Sequence, residues 1–529
     1  MMRKCFGWVL LLAAAMLVCL APAMAQESET AIILSDAGVT VDGAAASSNS
    51  DDAVYVANDI VFYLEGQDFT YGEGEKQDEH SQAEADAHTV VHITKPGTYR
   101  LSGTLSAGQV AVDLGKDANA VVTLVLDGAD ITCTVAPAVI FYSVYECGSD
   151  DADAATKDVD TSAAGANVVI ADGSVNTLNG SYVARIYDPE SVKLSEDGTE
   201  IEESKKLHKY DGTLYSKRTM NVSGGEKGDG VLNINAENEG LCSDLHLTID
   251  GGVINIVSGN DGINTSEDNV SVCTIRGGEV NITVDGATGE GDGIDSNGWL
   301  VIAGGKVNAS ACSFSGDAGI DSDMGIFIEG GEVVAGGNML DHIAGGEQTY
   351  AVFEFASRMK GGTAVTLKDE NGNTVGEYAP VNDYMYLIVA GDEIVPGTYT
   401  LWQGDAQLSG SASEMRGRMP MGGFDGMTPP EGMKRHEMPE SMDMPEGFDP
   451  AQMTPPEGME LPEGMERPEM PEGMDMPEGF DPAKMGGFGG GRGFGGGRGG
   501  RGGAQDEMST EFVIAQGGSV FSSVGAAQE

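Results

Sequence analysis

Basic residues are scarce in this sequence: 29 lysines and arginines stand against 84 aspartates and glutamates, a net charge of −55 over 529 residues. A chain this negative repels nucleic acid and anionic surfaces at long range, which excludes binding to either through a broad basic face. It attracts cations, divalent ones above all. Histidine is also sparse, and His80, His88, His92, His208, His246, His342 and His436 show neither metal-ligand nor triad spacing. Of seven cysteines, five lie beyond the first 25 residues: Cys133, Cys147, Cys242, Cys273 and Cys312. An odd number at irregular spacing is no disulfide framework and no CxxC metal site. Cys273 fills a slot that other repeats give to Leu or Ile, the place of a small core residue. Long apolar runs are absent apart from residues 6–20, which fall short of the roughly 20 residues a bilayer requires. Arg3 and Lys4 precede that run and Ala23-Met24-Ala25 follows it, so residues 1–25 are expected to be a signal peptide cut before Gln26, and the protein to be secreted. Met16-Leu17-Val18 before Cys19 is a poor lipobox, which argues against a lipid anchor.

Glycine, with 78 residues, is abundant, and its pairs mark an internal repeat. Leu247-Thr248-Ile249-Asp250-Gly251-Gly252, Cys273-Thr274-Ile275-Arg276-Gly277-Gly278, Leu300-Val301-Ile302-Ala303-Gly304-Gly305 and Ile326-Phe327-Ile328-Glu329-Gly330-Gly331 fall into register, the pairs recurring after 26, 27 and 26 residues. Each pair is followed by a second short run with apolar residues at a period of two, the mark of a half-buried strand. Stacking the repeats aligns Ile249, Ile275, Ile302 and Ile328 in one inward column and Leu232, Ile254, Val280, Val307 and Val333 in another. Beside them Asn233, Asn255, Asn281 and Asn308 form an outward column able to hydrogen-bond along the stack. Strands of four to six residues bury a face only by stacking. With the glycine pairs read as tight corners between strands, the expectation is an all-β chain folded as a right-handed parallel β-helix (solenoid) over residues 30–345, with its regular part at 225–345. The missing LxxLxLxxN pattern excludes a leucine-rich repeat, and a period above twenty excludes the nonapeptide calcium roll.

Downstream the pattern changes. Residues 346–408 are expected to form a small antiparallel β cap, with Asp369-Glu370-Asn371-Gly372 as a hairpin turn. Residues 409–505 are a low-complexity tract, rich in Pro, Gly, Met and Glu and then in Gly and Arg, in which the stretch beginning at Met442 recurs at Met474. That composition predicts a disordered insertion. Its Arg492, Arg498 and Arg501 offer a contact to anionic cell-wall polymers. Residues 506–529 hold two strands that are expected to return to the cap. Residues 145–165 and 188–209 read as polar loops or insertions.

The corner before each double-glycine strand carries the most specific polar pattern: Glu239-Gly240-Leu241, Asp261-Gly262-Ile263, Asp292-Gly293-Ile294-Asp295 and Asp317-Ala318-Gly319-Ile320-Asp321-Ser322-Asp323. With the Ile or Leu inward, the acids of successive repeats gather at one edge. Carboxylates about 5 Å apart repel and hold protons until a cation neutralises them. Calcium suits such a place because it takes six to eight oxygens in tolerant geometry. The metal candidates are Asp261, Asp292, Asp295, Asp317, Asp321 and Asp323. Asp-Gly also occurs as ordinary turn chemistry, but turn capping does not account for the second acidic position at Asp295 and Asp321. No catalytic residues stand out, since Arg276 and Lys306 sit beside the glycine turns rather than at the acidic corner.

The run Gly97-Thr98-Tyr99-Arg100-Leu101-Ser102-Gly103-Thr104-Leu105, the run Thr123-Leu124-Val125-Leu126-Asp127-Gly128-Ala129-Asp130-Ile131, and the repeated Asp-Gly-Ile with Gly-Gly resemble the secreted bacterial carbohydrate-binding domain proteins. The resemblance spans residues 30–407 and the last strands. It implies a calcium-carrying parallel β-helix that binds plant-wall polysaccharide, pectin-like or cellulose, without catalysis. The chain departs from the family in having Asn264, Asp295 and Asp321 where members often place Lys after Asp-Gly-Ile, so an acidic glycan would have to approach through bridging calcium. Two other classes stay open on the sequence. A polysaccharide lyase needs a Lys or Arg beside the cation, and a structural surface protein or adhesin needs no soluble glycan at all.

Overall fold

The computed structural model describes residues 29–115, 119–413 and 508–527. The expected signal peptide and nearly all of the low-complexity tract, with its Gly/Arg end, lie outside the described residues. Among the described residues no helix is long and apolar enough to cross a membrane.

The described residues are all-β apart from two single turns of helix. The two inward columns are present, with Ile249, Ile275, Ile302 and Ile328, and likewise Leu232, Ile254, Val280, Val307 and Val333, all fully buried. The asparagine column is hydrogen-bonded throughout: Asn255 donates to Asn233 (2.9 Å), Asn281 to Asn255 (3.0 Å) and Asn308 to Asn281 (2.7 Å). A second, shorter row runs from Asn235 to Asn179 (2.8 Å) and from Asn179 to Thr132 (3.0 Å).

The way these strands join differs from the open right-handed parallel β-helix expected of the repeat. Ten parallel strands close on themselves: Val122–Cys133, Ala166–Ile170, Met220–Gly224, Leu247–Ile249, Val272–Ile275, Trp299–Ser310, Glu279–Val284, Val253–Ser258, Val231–Ala236 and Val175–Gly180, which pairs back with Val122–Cys133. The main sheet is thus a closed ten-strand parallel barrel with further strands outside it, and the solenoid reading is corrected. The reason lies in the glycines. Gly304-Gly305 sits inside the single strand Trp299–Ser310, whose first half pairs with Val272–Ile275 and whose second half pairs with Glu279–Val284. Gly128 does the same for Val122–Cys133 at the other side. Glycine here carries a strand through a bend instead of ending it, so two rows of short strands become one ring.

The second glycine of each pair is nevertheless obligatory. Gly252, Gly278, Gly305 and Gly331 all have φ between +75° and +90°. A Cβ on Gly278 would meet the Gly252 carbonyl oxygen at 2.6 Å, and one on Gly305 the Gly278 oxygen at 2.7 Å.

Outside the ring, Gly97–Leu105 and Thr30–Ser35 extend one side, and Gly325–Gly337 the other. Gly325–Gly337 then pairs antiparallel with Tyr384–Ala390, which leads into an antiparallel layer with its own core of Phe353, Phe355, Leu401, Phe512 and Phe521. Ser519–Ala526 lies beside Tyr350–Met359 in that layer. An eight-strand sheet runs Ile294–Ser296, Ile263–Thr265, Glu239–Ser243, Gly212–Ser216, Val139–Ser143, Gly108–Asp113, Thr89–Ile93 and Val54–Ala57. This sheet positions the acidic residues.

A candidate cation site on an acidic wall

Parallel register in the eight-strand sheet stacks Leu241, Ile263 and Ile294, all fully buried, and Ile320 continues the column through a bridge to Ile294. Side chains alternate across a strand, so the next position faces the other side of the sheet: Cys242, Asn264 and Asp295 are paired in register, with Asp321 following as its amide donates to the Ile294 carbonyl (2.7 Å). The position after that is a buried hydroxyl column of Ser243, Thr265, Ser296 and Ser322. Its hydroxyls satisfy the bend into the ring strands: Thr265 meets Ser296 at 2.8 Å, Ser296 donates to the Trp299 carbonyl (3.0 Å) and Ser322 to that of Gly298 (2.8 Å).

Three of the six sequence candidates converge. Carboxylate oxygens of Asp292, Asp295 and Asp321 all lie within 4.8 Å of one another. Burial pushes Asp295 up to about 8, with repulsion from Asp261, Asp323 and Asp341 adding to it. Asp321 is likewise raised to about 8, first by burial and then by Asp341 and Asp295. Asp292 is held well above the carboxylate range by burial and by Asp321, Asp261 and Asp295, against the hydrogen bond that Ala318 N–H donates to it.

The other three candidates are used differently. Asp261 accepts from the amide of Asp292 (2.7 Å) and Asp317 from that of Gly291 (2.6 Å), so each ties one repeat to the next. Asp323 is exposed at the rim, its amide donating to the Ser296 carbonyl (3.0 Å), and its charge still bears on Asp295.

Two acids outside the sequence candidates belong to the wall. Asp341, buried, accepts from the Ser322 amide (3.1 Å) and shares a hydrogen bond with Asp321. It stands two residues before Ile343, which pairs with Ile326 and is followed by Gly345-Gly346, so the acid-x-Ile spacing ahead of a glycine pair was its visible signal. Glu239 occupies the corner position of Asp261 and Asp292 one repeat earlier. Burial and the neighbouring Asp211 raise it to about 8, while the Cys242 thiol (2.9 Å) and the Asn264 amide (3.1 Å) donate to it. Asp211 itself is paired with Lys209 (2.9 Å).

The donor set fits a hard divalent cation. Three carboxylates supply up to six oxygens, and Asn264 Oδ1, in register beside Asp295, is buried without a hydrogen-bond partner among the described residues. A cation here would neutralise charge that the wall otherwise suppresses by holding protons.

Among the described residues the protein is all-β, and Asp292, Asp295 and Asp321 converge at one end of its eight-strand sheet. The family model described as carbohydrate-binding domain-containing protein matches residues 87–372, more than half of the chain, and the chain belongs to that family. A relative of the same description from Acetivibrio thermocellus is 31% identical over 167 residues, a match that takes in 31% of this chain and 44% of the relative, so the chain spans less than half of that protein's length. Among solved structures, the polysaccharide lyase-like protein from C. thermocellum, a gadolinium derivative, is similar at 22% identity with a TM-score of 0.30, over 56% of this chain and 91% of that one.

Proposed function

We propose that this chain is a secreted, non-catalytic polysaccharide-binding protein that holds a divalent cation, calcium by its ligand chemistry, at Asp292, Asp295 and Asp321. The observation that carries the reading is the convergence of those three carboxylates within 4.8 Å at one end of the eight-strand sheet; membership of a family described as carbohydrate-binding supports the glycan part. Calcium takes six to eight oxygens, so an ion held by these carboxylates would draw further ligands, which the carboxylate or hydroxyls of a pectin-like glycan could supply. Binding is favoured over cleavage because the cations of the repeats are already engaged: Arg276 with Asp250 (2.7 Å) and Lys306 with Glu279 (3.7 Å).

The test is gel retardation of the mature protein by polygalacturonate and by neutral glycans, with calcium and then with chelator. Retardation by the polyuronate that chelator removes, and that Asp321→Asn weakens, supports the reading. Equal migration in every gel sinks it and leaves a structural surface protein. Export is checked by sequencing the N-terminus of protein recovered from the medium, where Gln26 is expected.

A further inference from the structure

The same eight-strand sheet carries a second feature, at the end away from the acidic wall. A cleft of about 460 Å³ opens between the outer strands of the sheet and the strand Lys206–Tyr210, which lies outside the sheet paired antiparallel with Val183–Tyr187. That volume falls within the range of small-ligand pockets. Its lining mixes ring surface with hydrogen-bonding groups: Asp59, His92, Asp113, Tyr142, His208 and Lys217.

These groups are fixed in place. His92 lies flat on Tyr55 (centroids 4.4 Å apart, planes 8° apart) and its Nε2 meets Asp59 at 2.7 Å. His208 Nδ1 meets the Tyr210 hydroxyl at 2.6 Å, and the rings of Tyr210 and Tyr142 pack edge to face at 5.4 Å. Buried Gln109 is locked by its bond to the Pro137 carbonyl (2.8 Å). Burial lowers His208 from its ordinary value, with Lys217 acting in the same sense, which favours the neutral imidazole; with Nδ1 held by Tyr210, its Nε2 is left to hydrogen-bond a ligand.

We propose that this cleft is a cation-independent subsite for one uncharged pyranose unit of a glycan. Aromatic surface takes the C–H face of a sugar ring, while side chains able to donate and accept take its hydroxyls. The charge balance selects against an acidic sugar. Two carboxylates, Asp59 and Asp113, line the cleft with one lysine, Lys217, so no net positive charge is left to receive a carboxylate, and the chain's charge of −55 opposes its approach. The acidic wall and the cleft thus serve different parts of a glycan, one through a bridging cation and one through direct contacts. This inference rests on the carbohydrate-binding reading but not on the cation.

The experiment is isothermal titration of the full mature protein with cellohexaose, xylohexaose and mannohexaose in chelator, repeated with Asp113→Asn and Lys217→Ala, both at the solvent edge of the cleft. Saturable binding of at least one hexasaccharide is expected, weakened about five-fold or more in each variant, the scale of one lost hydrogen bond. Absence of binding by all three, or equal binding by both variants, overturns the subsite. Calcium-dependent retardation by polygalacturonate without any hexasaccharide binding overturns the subsite alone. Hexasaccharide binding that the variants weaken, without that retardation, upholds the subsite and removes the cation reading.

Discussion

Neutralising Asp295 should make the calcium-free protein more stable, although it deletes a proposed ligand. In the folded chain Asp295 keeps its proton up to about 8, against an ordinary value of 3.8. Below about pH 4 both folded and unfolded chains are protonated and the residue costs nothing. As the pH rises from about 4 to about 8, the unfolded chain has released the proton and the folded chain has not, so stability falls by about 1.4 kcal/mol per pH unit, and above about 8 the loss is complete. At pH 7 that amounts to about 4 kcal/mol, which solvent screening at this half-buried position reduces to about 2 kcal/mol. Asp295→Asn keeps the shape and removes the charge. Its Tm in chelator at pH 7 is expected to rise by a few degrees, since 1 kcal/mol moves a domain of 150–250 residues by about 2–4 °C and a larger one by less. Calcium at a hundred times its Kd should stabilise the wild type by about 2.7 kcal/mol and the variant by much less, so the order of the two proteins narrows or reverses when calcium is added. Scanning calorimetry at pH 5 and 8, with and without calcium, reads all of this. A variant that melts no higher than wild type in chelator at pH 8, or that gains as much from calcium, refutes the reasoning.

Two further outcomes follow from the ring. Asn281 both donates and accepts in its column while Asn308 only donates, so Asn281→Ala should cost about 2 kcal/mol and Asn308→Ala about 1 kcal/mol in urea unfolding; equal losses would mean the column bonds carry no net stability. Gly278→Ala places a Cβ 2.6 Å from the Gly252 oxygen at φ +82°, whereas Gly198 at φ +74° has open space, so Gly278→Ala should lower the urea midpoint clearly more than Gly198→Ala, which carries only the backbone strain of about 1–2 kcal/mol.

How much of this could be read from the residues depends on the range over which each feature is encoded. The columns were legible because a period of two and a repeat of 26 or 27 residues both survive in the sequence, and Ile249 through Ile328 and Asn233 through Asn308 stack as their spacing implies. Ring closure was not, because Gly-Gly at positive φ reads the same whether it ends a strand or bends one, and only pairing partners separate Gly304-Gly305 inside Trp299–Ser310 from Gly251-Gly252 between two strands. Within the site, Asp292, Asp295 and Asp321 were visible through their fixed offset from an inward Ile. Asp341 escaped because the glycine pair that follows it, Gly345-Gly346, comes 15 residues after Gly330-Gly331 and so falls outside the repeat of 26 or 27, and Glu239 because its corner lacks the second acid. The cleft had no local signal at all, since its residues come from positions between 59 and 217 and meet only through the sheet.

The free cysteines give this fold a built-in clock. Cys133, Cys242, Cys273 and Cys312 are unpaired and buried, and burial pushes the thiols of Cys133 and Cys273 up to about 12. None can react while its own stretch of chain is closed, since burial withholds solvent from all four and disfavours the thiolate of Cys133, Cys242 and Cys273. They sit at successive stations from the first ring strand, through the acidic sheet, to the segment after the last ring strand. The sequence in which a thiol reagent reaches them therefore records where the protein first comes apart. A ring that opens as one unit exposes all four together, whereas one that peels from a side gives them up one at a time.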